Sequence, residues 1–216
     1  MDCSSHLVVI VANTLKGFIV FEGLDGSGTT TQIDALCDCL RQKGKSFFRT
    51  AEPSDGIIGR FLRESVLNGN SCHLNADSIL HLYVADRYDH IYGGSGVVSN
   101  LRKCGMAIQD RYWFSTLAYQ GVDIACERIF DLNKDFPYPE HLIYLKCPVD
   151  ICMRRIASRG NEREIFEKSE FLEKVAENYD RAFGSLPSDV GFHAIDSSAS
   201  VREVHHKILE ILGGCF

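Results

Sequence analysis

The segment from Phe18 to Gln32 limits the possible folds of this chain more than any other part of it. A β-rich run, Phe18–Glu22, leads into a glycine-rich turn, and a helical pattern follows the turn. Glycines in such a turn let successive backbone N–H groups point inward at an anion, and the start of the helix adds the positive end of its dipole. This order of strand, turn and helix predicts a phosphate-binding loop within an α/β fold.

The loop departs from the common pattern G-x-x-x-x-G-K-S/T at one position. Gly23 and Gly28 are the two glycines, Thr30 supplies the hydroxyl expected to bind Mg²⁺, and Thr29 stands where the pattern has lysine. Lysine normally brings a positive charge to the β- and γ-phosphates, whereas threonine can donate a hydrogen bond but carries no charge. The residues predicted to surround the phosphates are Gly23, Leu24, Asp25, Gly26, Ser27, Gly28, Thr29, Thr30 and Thr31.

The rest of the chain alternates strand and helix patterns, which predicts an α/β fold with five buried parallel strands flanked by helices. Strands are predicted at Phe18–Glu22, Ser46–Thr50, Met106–Asp110, His141–Lys146 and Phe192–Ile195. Helices are predicted at Thr30–Lys43, Ala76–Tyr92, Val149–Arg159, Glu170–Phe183 and Val201–Leu212. No linker-like stretch divides the chain, so we expect one domain over residues 17–216 after an N-terminal extension of residues 1–16. The glycines of Gly93–Gly96 predict a helix break.

Composition excludes several classes of partner. The 216 residues include 23 Lys+Arg and 29 Asp+Glu, and the net charge of −6 argues against broad electrostatic binding of nucleic acid or an anionic membrane. The apolar run Leu7–Ala12 is too short for a membrane span and has no preceding positive charge, so a signal peptide is not expected. Nine cysteines, an odd number without a C-x-x-C pair, predict free thiols in the cytoplasm.

Four segments together resemble the thymidylate (dTMP) kinase family. They are the loop Phe21–Gly28, then Glu52–Arg60 against the pattern E-P-x-x-x-x-I-G, Leu82–Arg87 against aromatic-x-x-D-R, and Asp110–Gly121 against D-R-Y-x-x-S-x-x-A-Y-Q-G. They occur in the family's order, and the resemblance extends over about residues 17–212. It implies a P-loop nucleoside monophosphate kinase fold, transfer of a phosphoryl group from ATP to dTMP with Mg²⁺, and a homodimer.

The resemblance also implies roles for residues at the ends of the strands. Arg111 presents a guanidinium fork to the phosphate of dTMP, at the edge of the sheet where α/β proteins bind ligands. Asp110 joins Thr30 at Mg²⁺. Asp25 accepts a hydrogen bond from the sugar 3′-OH and, with Arg111, is predicted to be catalytic.

On the base and sugar, the resemblance implies contacts from three further side chains. Arg87 hydrogen-bonds the pyrimidine edge, Tyr83 stacks on thymine where the family usually has Phe, and Tyr119 fills the space that a ribose 2′-OH would need. The other residues predicted to bind dTMP are Glu52, Pro53, Asp110, Ser115, Thr116 and Gln120.

A charged stretch resembles the lid of the family, placed at about residues 159–168. One subgroup of the family carries an arginine in the phosphate loop and another carries it in the lid. Because Gly26 occupies the loop position here, Arg159 and Arg163 are predicted to be catalytic lid residues. Arg155 is predicted to lie against adenine, beside an adenine-side loop at Asp196–Ser200.

Two departures and several alternatives remain open at this point. Ala51 replaces an arginine that the family has before Glu-Pro, and Arg49 is a candidate to reach the phosphate instead. Singly, Asp86–Arg87 could form a surface ion pair, Tyr83 could belong to the core, and Asp110–Arg111 could form a salt bridge at the end of a strand. Besides a dTMP kinase of reduced activity, the chain could be a nucleotide-binding protein that has lost efficient transfer, or a kinase for another monophosphate.

Overall fold

The computed structural model describes residues 14–67, 74–158, 165–184 and 186–213. Its strands are β1 (Thr14–Gly23), β2 (Phe48–Ala51), β3 (Ala107–Asp110), β4 (Tyr138–Lys146) and β5 (Gly191–Asp196). They form one parallel sheet in the order β2-β3-β1-β4-β5. The chain therefore crosses from one side of the central strand β1 to the other after β3, and such a switch point is where α/β sheets bind ligands. The predicted fold class is confirmed.

Helices connect the strands and cover both faces of the sheet. They are α1 (Thr29–Gln42), α2 (Ile57–Phe61), a π-helical turn (Leu62–Leu67), α3 (Ala76–Tyr92), α4 (Val97–Cys104), α5 (Trp113–Gln120), α6 (Cys126–Asn133), α7 (Val149–Ala157), α8 (Ile165–Phe183) and α9 (Val201–Leu212). The bounds of α3 and α9 are those predicted, and side-chain caps explain both starts. Asn75 accepts from the Ser78 N–H, and Ser200 forms a capping box with Glu203.

Strand β1 lies at the centre of the core. Its consecutive residues point to opposite faces of the sheet. Phe18 and Val20 pack in the cluster that contains residues of α5 and α8, and Ile19 and Phe21 pack in the cluster that contains residues of α1 and α9. Because both faces are covered, the central residues Phe18–Phe21 form an unbroken buried apolar run, as is typical of parallel strands of this type. The sheet thereby fixes the position of the loop that follows β1.

Among the predicted boundaries that differ from the structure, two concern the N-terminal extension and the lid. Strand β1 begins at Thr14, which pairs with Tyr138 of β4, so the predicted start of the domain at residue 17 falls inside a strand. Helix α8 begins at Ile165 rather than at residue 170, so the last residues of the predicted lid belong to a helix. The break at Gly93–Gly96 is confirmed, because α3 ends at Tyr92 and α4 begins at Val97.

Some predicted features lie outside the described residues. These are the run Leu7–Ala12 and the lid arginines Arg159 and Arg163. Among the described helices, none has the length and apolar character needed to cross a membrane.

Candidate active site

The turn between β1 and α1 has the backbone conformation of an anion-binding loop. Gly26 has φ 83° and Gly28 has φ 101°, a left-handed region that side chains other than glycine rarely adopt. At Gly26 a Cβ atom would also lie 2.6 Å from the carbonyl oxygen of Cys152. Gly28 is the N-cap of α1, so the N–H groups of the first helical turn face the loop.

The loop forms one wall of a cavity of about 420 Å³, the phosphate cavity. Its lining comes from the loop, the end of β3 and α7: Leu24, Asp25, Gly26, Gly28, Thr29, Thr30, Thr31, Asp110, Arg111 and Ile156. Arg111 brings a guanidinium group to it. Thr29, at the lysine position, is 7% exposed.

Two residues at this cavity fit a magnesium ion. The Thr30 hydroxyl donates to Asp110 Oδ2 at 2.8 Å, and the buried Asp110 Oδ1 has no hydrogen-bond partner among the described residues. A hydroxyl and a carboxylate oxygen without a partner are ligands that Mg²⁺ accepts beside phosphate oxygens. The described part of the chain has no group of three or more His, Cys, Asp or Glu side chains that could hold a metal by itself. The donor set therefore fits an ion held jointly by protein and nucleotide.

A second cavity, of about 310 Å³, gathers the residues predicted to bind dTMP; we call it the monophosphate cavity. Its lining is Asp25, Glu52, Pro53, Leu67, Tyr83, Arg87, Arg111, Tyr112, Ser115, Thr116, Tyr119 and Gln120. Of the predicted set, Asp110 lies in the phosphate cavity instead. Leu67 and Tyr112 were not predicted. Asp25 and Arg111 line both cavities and so lie at their junction.

Arg111 occupies an unusual backbone conformation at this junction. Its φ is 65°, and its N–H donates to the carbonyl oxygen of Phe21 at 2.9 Å. Non-glycine residues in this region are strained and are concentrated at functional sites. Nη2 pairs with Asp25 Oδ1 at 2.7 Å, and the guanidinium carbon lies 5.1 Å from the centre of the Tyr119 ring. The Tyr119 hydroxyl in turn accepts from the Asp25 N–H at 3.0 Å.

Arg87 has a more structural environment than the sequence predicted. It is 1% exposed, and Nε and Nη2 contact Glu52 Oε2 at 2.8 and 2.7 Å. Nη2 also donates to Thr116 Oγ1 at 3.0 Å, and Nη1 donates to Asn133 Oδ1. These contacts use four of the five N–H donors of an arginine, so one remains for a base. The contact between Arg87 and the pyrimidine stays a prediction.

The alternative of a surface ion pair between Asp86 and Arg87 is wrong. Asp86 is buried and accepts from the backbone N–H and the hydroxyl of Ser54 at 2.7 and 2.6 Å. Glu52 is the partner of Arg87. Burial would raise the pKa of Glu52, but the charge of Arg87 and the contact with His90 lower it below its ordinary value.

Tyr83 lines the monophosphate cavity, and burial raises the pKa of its hydroxyl to about 12.

A third cavity, of about 350 Å³, lies between the phosphate loop, α7 and the start of α9. Arg155 lines it together with Ser197 and Ala199. Its Nη2 donates to the Ser197 carbonyl at 3.0 Å, and Nη1 donates to the carbonyls of Gly26 and Ser27 at 3.3 Å. Arg155 thus joins the loop to the segment predicted to lie beside adenine, and its own contact with adenine stays a prediction.

Arg49 does not take the role suggested for it. Its Nη2 pairs with Asp34 Oδ1 of α1 at 2.6 Å, and it lines none of the three cavities described above. The position before Glu52 is therefore without a replacement charge from Arg49.

Two further residues near the site, Glu22 and Tyr179, were not predicted. An acidic residue inside an otherwise apolar strand was the signal available for Glu22.

Comparison with known proteins agrees with the geometry. The family model of thymidylate kinase matches residues 21–208. A putative thymidylate kinase of Treponema pallidum is 36% identical over 203 residues, which covers 93% of this chain and 96% of that protein. A thymidylate kinase of Desulfotalea psychrophila is 37% identical over 202 residues, covering 92% and 95%. The chain belongs to the thymidylate kinase family.

Proposed function

We propose that the chain transfers the γ-phosphoryl group of ATP to dTMP, with Mg²⁺, at the junction of the phosphate and monophosphate cavities. Membership of the thymidylate kinase family supports the reaction. The structural observation that carries the proposal is that Asp25 and Arg111 line both cavities. A donor phosphate on the loop and an acceptor phosphate on Arg111 would then be neighbours, and positioning of this kind supplies much of the catalysis in phosphoryl transfer.

Each part of the proposed site has one task. Arg111 binds the acceptor phosphate and offsets its charge, and Asp25 orients Arg111 through their 2.7 Å pair. Thr30 and Asp110 hold Mg²⁺, which when bound neutralises charge on the ATP phosphates. Tyr83 stacks on thymine, and Tyr119 excludes a ribose 2′-OH. Tyr119 is well suited to that task because its hydroxyl is fixed by the Asp25 N–H and its ring by Arg111.

Low activity is part of the proposal. Thr29 brings no charge to the phosphate cavity, and the charge of Arg111 is partly balanced by Asp25. We propose that Arg159 and Arg163 of the lid supply the missing positive charge when ATP is bound. The same lack of charge supports the second candidate, a nucleotide-binding protein with the fold and both cavities but without efficient transfer.

Arg111→Ala is expected to weaken dTMP binding and to slow transfer together. A charge-assisted, bidentate contact contributes about 1.5–3 kcal/mol. Its removal corresponds to a loss of affinity of roughly 10- to 150-fold. Calorimetry with dTMP measures the affinity. The matched control is Arg154→Ala, which removes an exposed arginine paired with Asp150 and should leave dTMP affinity unchanged. Unchanged affinity in a folded Arg111→Ala protein would reassign Arg111 to a structural ion pair.

We also propose a homodimer. Helices α2 and α3 pack against each other and carry exposed apolar side chains, with Ile57 81%, Phe61 40%, Tyr88 49% and Tyr92 47% exposed. An exposed apolar surface of this kind is typical of an interface. Sedimentation at micromolar concentration should show a species of twice the 24.2 kDa chain mass, and a monomer alone would contradict the proposal.

A cytoplasmic location is proposed as well. The six cysteines within the described residues are all free thiols, as expected in a reducing compartment.

A further inference from the structure

Three side chains form a cluster directly beside Arg111, and the proposed function gives no role to two of them, Glu22 and Tyr179. Glu22 ends the apolar core of β1, Ser115 lies in α5, and Tyr179 lies in α8. Glu22 and Tyr179 have no exposed surface. Arg111 Nη1 reaches the cluster, with Ser115 Oγ at 3.2 Å and the Tyr179 hydroxyl at 3.5 Å. The cluster therefore contacts Nη1 of the guanidinium group, whereas Asp25 contacts Nη2.

The three oxygen atoms of the cluster form a closed triangle. Ser115 Oγ lies 2.6 Å from Glu22 Oε2, the Tyr179 hydroxyl lies 2.8 Å from Glu22 Oε2, and the two hydroxyls lie 2.8 Å apart. Three hydrogen bonds need three protons, and the two hydroxyl groups supply only two. A proton on the Glu22 carboxyl group completes the triangle. Without it, one of the three close oxygen pairs has no hydrogen between its atoms.

The surroundings of Glu22 agree with a shared proton. Oε1 accepts from the Tyr112 N–H at 2.7 Å and from the Ser115 N–H at 3.3 Å. Arg111 is the cation that acts on Glu22, and the hydroxyls of Tyr179 and Tyr144 face it from α8 and β4. The Tyr119 hydroxyl acts on Arg111. Burial raises the pKa of Glu22 to about 7, although the contacts with Ser115, Arg111, Tyr179 and the Tyr112 N–H lower it.

We propose that Glu22 and Tyr179 are positioning residues for Arg111, and that their cluster takes up a proton when the phosphate of dTMP binds. The inference rests on the proposed binding of that phosphate by Arg111. An ionised Glu22 attracts the guanidinium group inward and competes with the phosphate for it. A protonated Glu22 leaves the charge of Arg111 to the ligand. By linkage, the ligand's negative charge in turn favours the protonated form of Glu22.

Proton exchange on binding is the readout that a merely structural role would not change. Calorimetry of dTMP binding at pH 7, in two buffers with different ionisation enthalpies, gives the number of protons exchanged. The phosphate of dTMP itself loses protons when it binds near a cation, in both proteins. The contribution of Glu22 is therefore the number of protons exchanged by the unmodified chain minus the number exchanged by Glu22→Gln. We expect the unmodified chain to take up about 0.5 proton more than the variant, because a group with pKa about 7 is half protonated at this pH.

Tyr179→Phe is the second variant, and it keeps the aromatic ring in the core. We expect it to raise the KM for dTMP by about tenfold, the effect of losing one hydrogen bond to a charged network, and to change the KM for ATP much less. Tyr144→Phe is the matched control, because Tyr144 packs against Tyr179 with ring centres 5.3 Å apart and lines neither the phosphate nor the monophosphate cavity.

The outcomes separate the inference from the function on which it rests. Equal proton exchange in the unmodified chain and Glu22→Gln would overturn the shared proton. A KM for dTMP in Tyr179→Phe equal to that of Tyr144→Phe would overturn the positioning role. In either case Arg111→Ala should still lose dTMP affinity. If Arg111→Ala binds dTMP normally, the assignment of Arg111 fails, and this inference fails with it.

Discussion

Replacing Thr29 by lysine is expected to raise the rate of dTDP formation by about 10²-fold, the factor that a single donor aimed at the developing charge contributes in other enzymes. The parts that would receive the lysine are already present. Gly28 has the left-handed conformation that starts α1, Thr30 contacts Asp110, and position 29 lines the phosphate cavity. The measurement is the turnover rate at saturating ATP and dTMP.

Gln42→Lys is the matched control for Thr29→Lys. It adds the same charge to the same helix at an exposed position about 20 Å away along α1. It should not change turnover. If activity is absent both before and after Thr29→Lys, the chain is a nucleotide-binding protein. If the unmodified chain already turns over at about 1–10³ s⁻¹ and the lysine adds nothing, another cation compensates for Thr29.

Arg87→Ala is expected to lower the free energy of unfolding by about 3–5 kcal/mol, because it removes the arginine that neutralises a buried carboxylate. Glu52 has 4% of its side chain exposed, and its Oε2 accepts from both Nε and Nη2 of Arg87 in α3. The substitution also removes donors from Asn133 and Thr116. Urea unfolding measures the effect.

The control for Arg87→Ala is Arg49→Ala, which breaks the ion pair with Asp34. Those side chains are 40% and 51% exposed, and pairs of this kind contribute about 1 kcal/mol or less. Equal losses in the two variants would contradict the structural role of Arg87. The large expected loss also means that Arg87→Ala is a poor test of base recognition, since weak dTMP binding could then follow from a damaged cavity.

The sheet could be predicted from the sequence because parallel strands buried on both faces are short, nearly continuous apolar runs. The long helices α3 and α9 could be predicted because each begins at a residue that caps its first turn. Helices α4, α5 and α6 were not predicted. Each has eight residues, and N-cap positions Gly96, Tyr112 and Ala125 make no side-chain cap bond, so their starts carry no sequence signal.

Much of the site could be predicted because its residues follow the ends of adjacent strands. Loop residues after β1, Glu52 after β2 and Arg111 after β3 must meet at one edge of a parallel sheet. The partners of these residues could not be predicted in the same way. Tyr179 is separated from Ser115 by 64 positions, and its contact depends on how α8 packs across α5. The buried partner of Arg87 likewise depends on the packing of α3 against the end of β2.

A coupled assay with ATP, Mg²⁺ and a panel of nucleoside monophosphates tests the central claim most directly. We expect dTDP formation with dTMP at a low but measurable rate, and much slower product formation with UMP, because we propose that Tyr119 excludes a ribose 2′-hydroxyl. The Thr29→Lys protein should show the same order of substrates at a higher rate. Equal rates with dTMP and UMP would contradict the assignment of the monophosphate cavity, and no dTDP from either protein would contradict the assignment of the chain as a dTMP kinase.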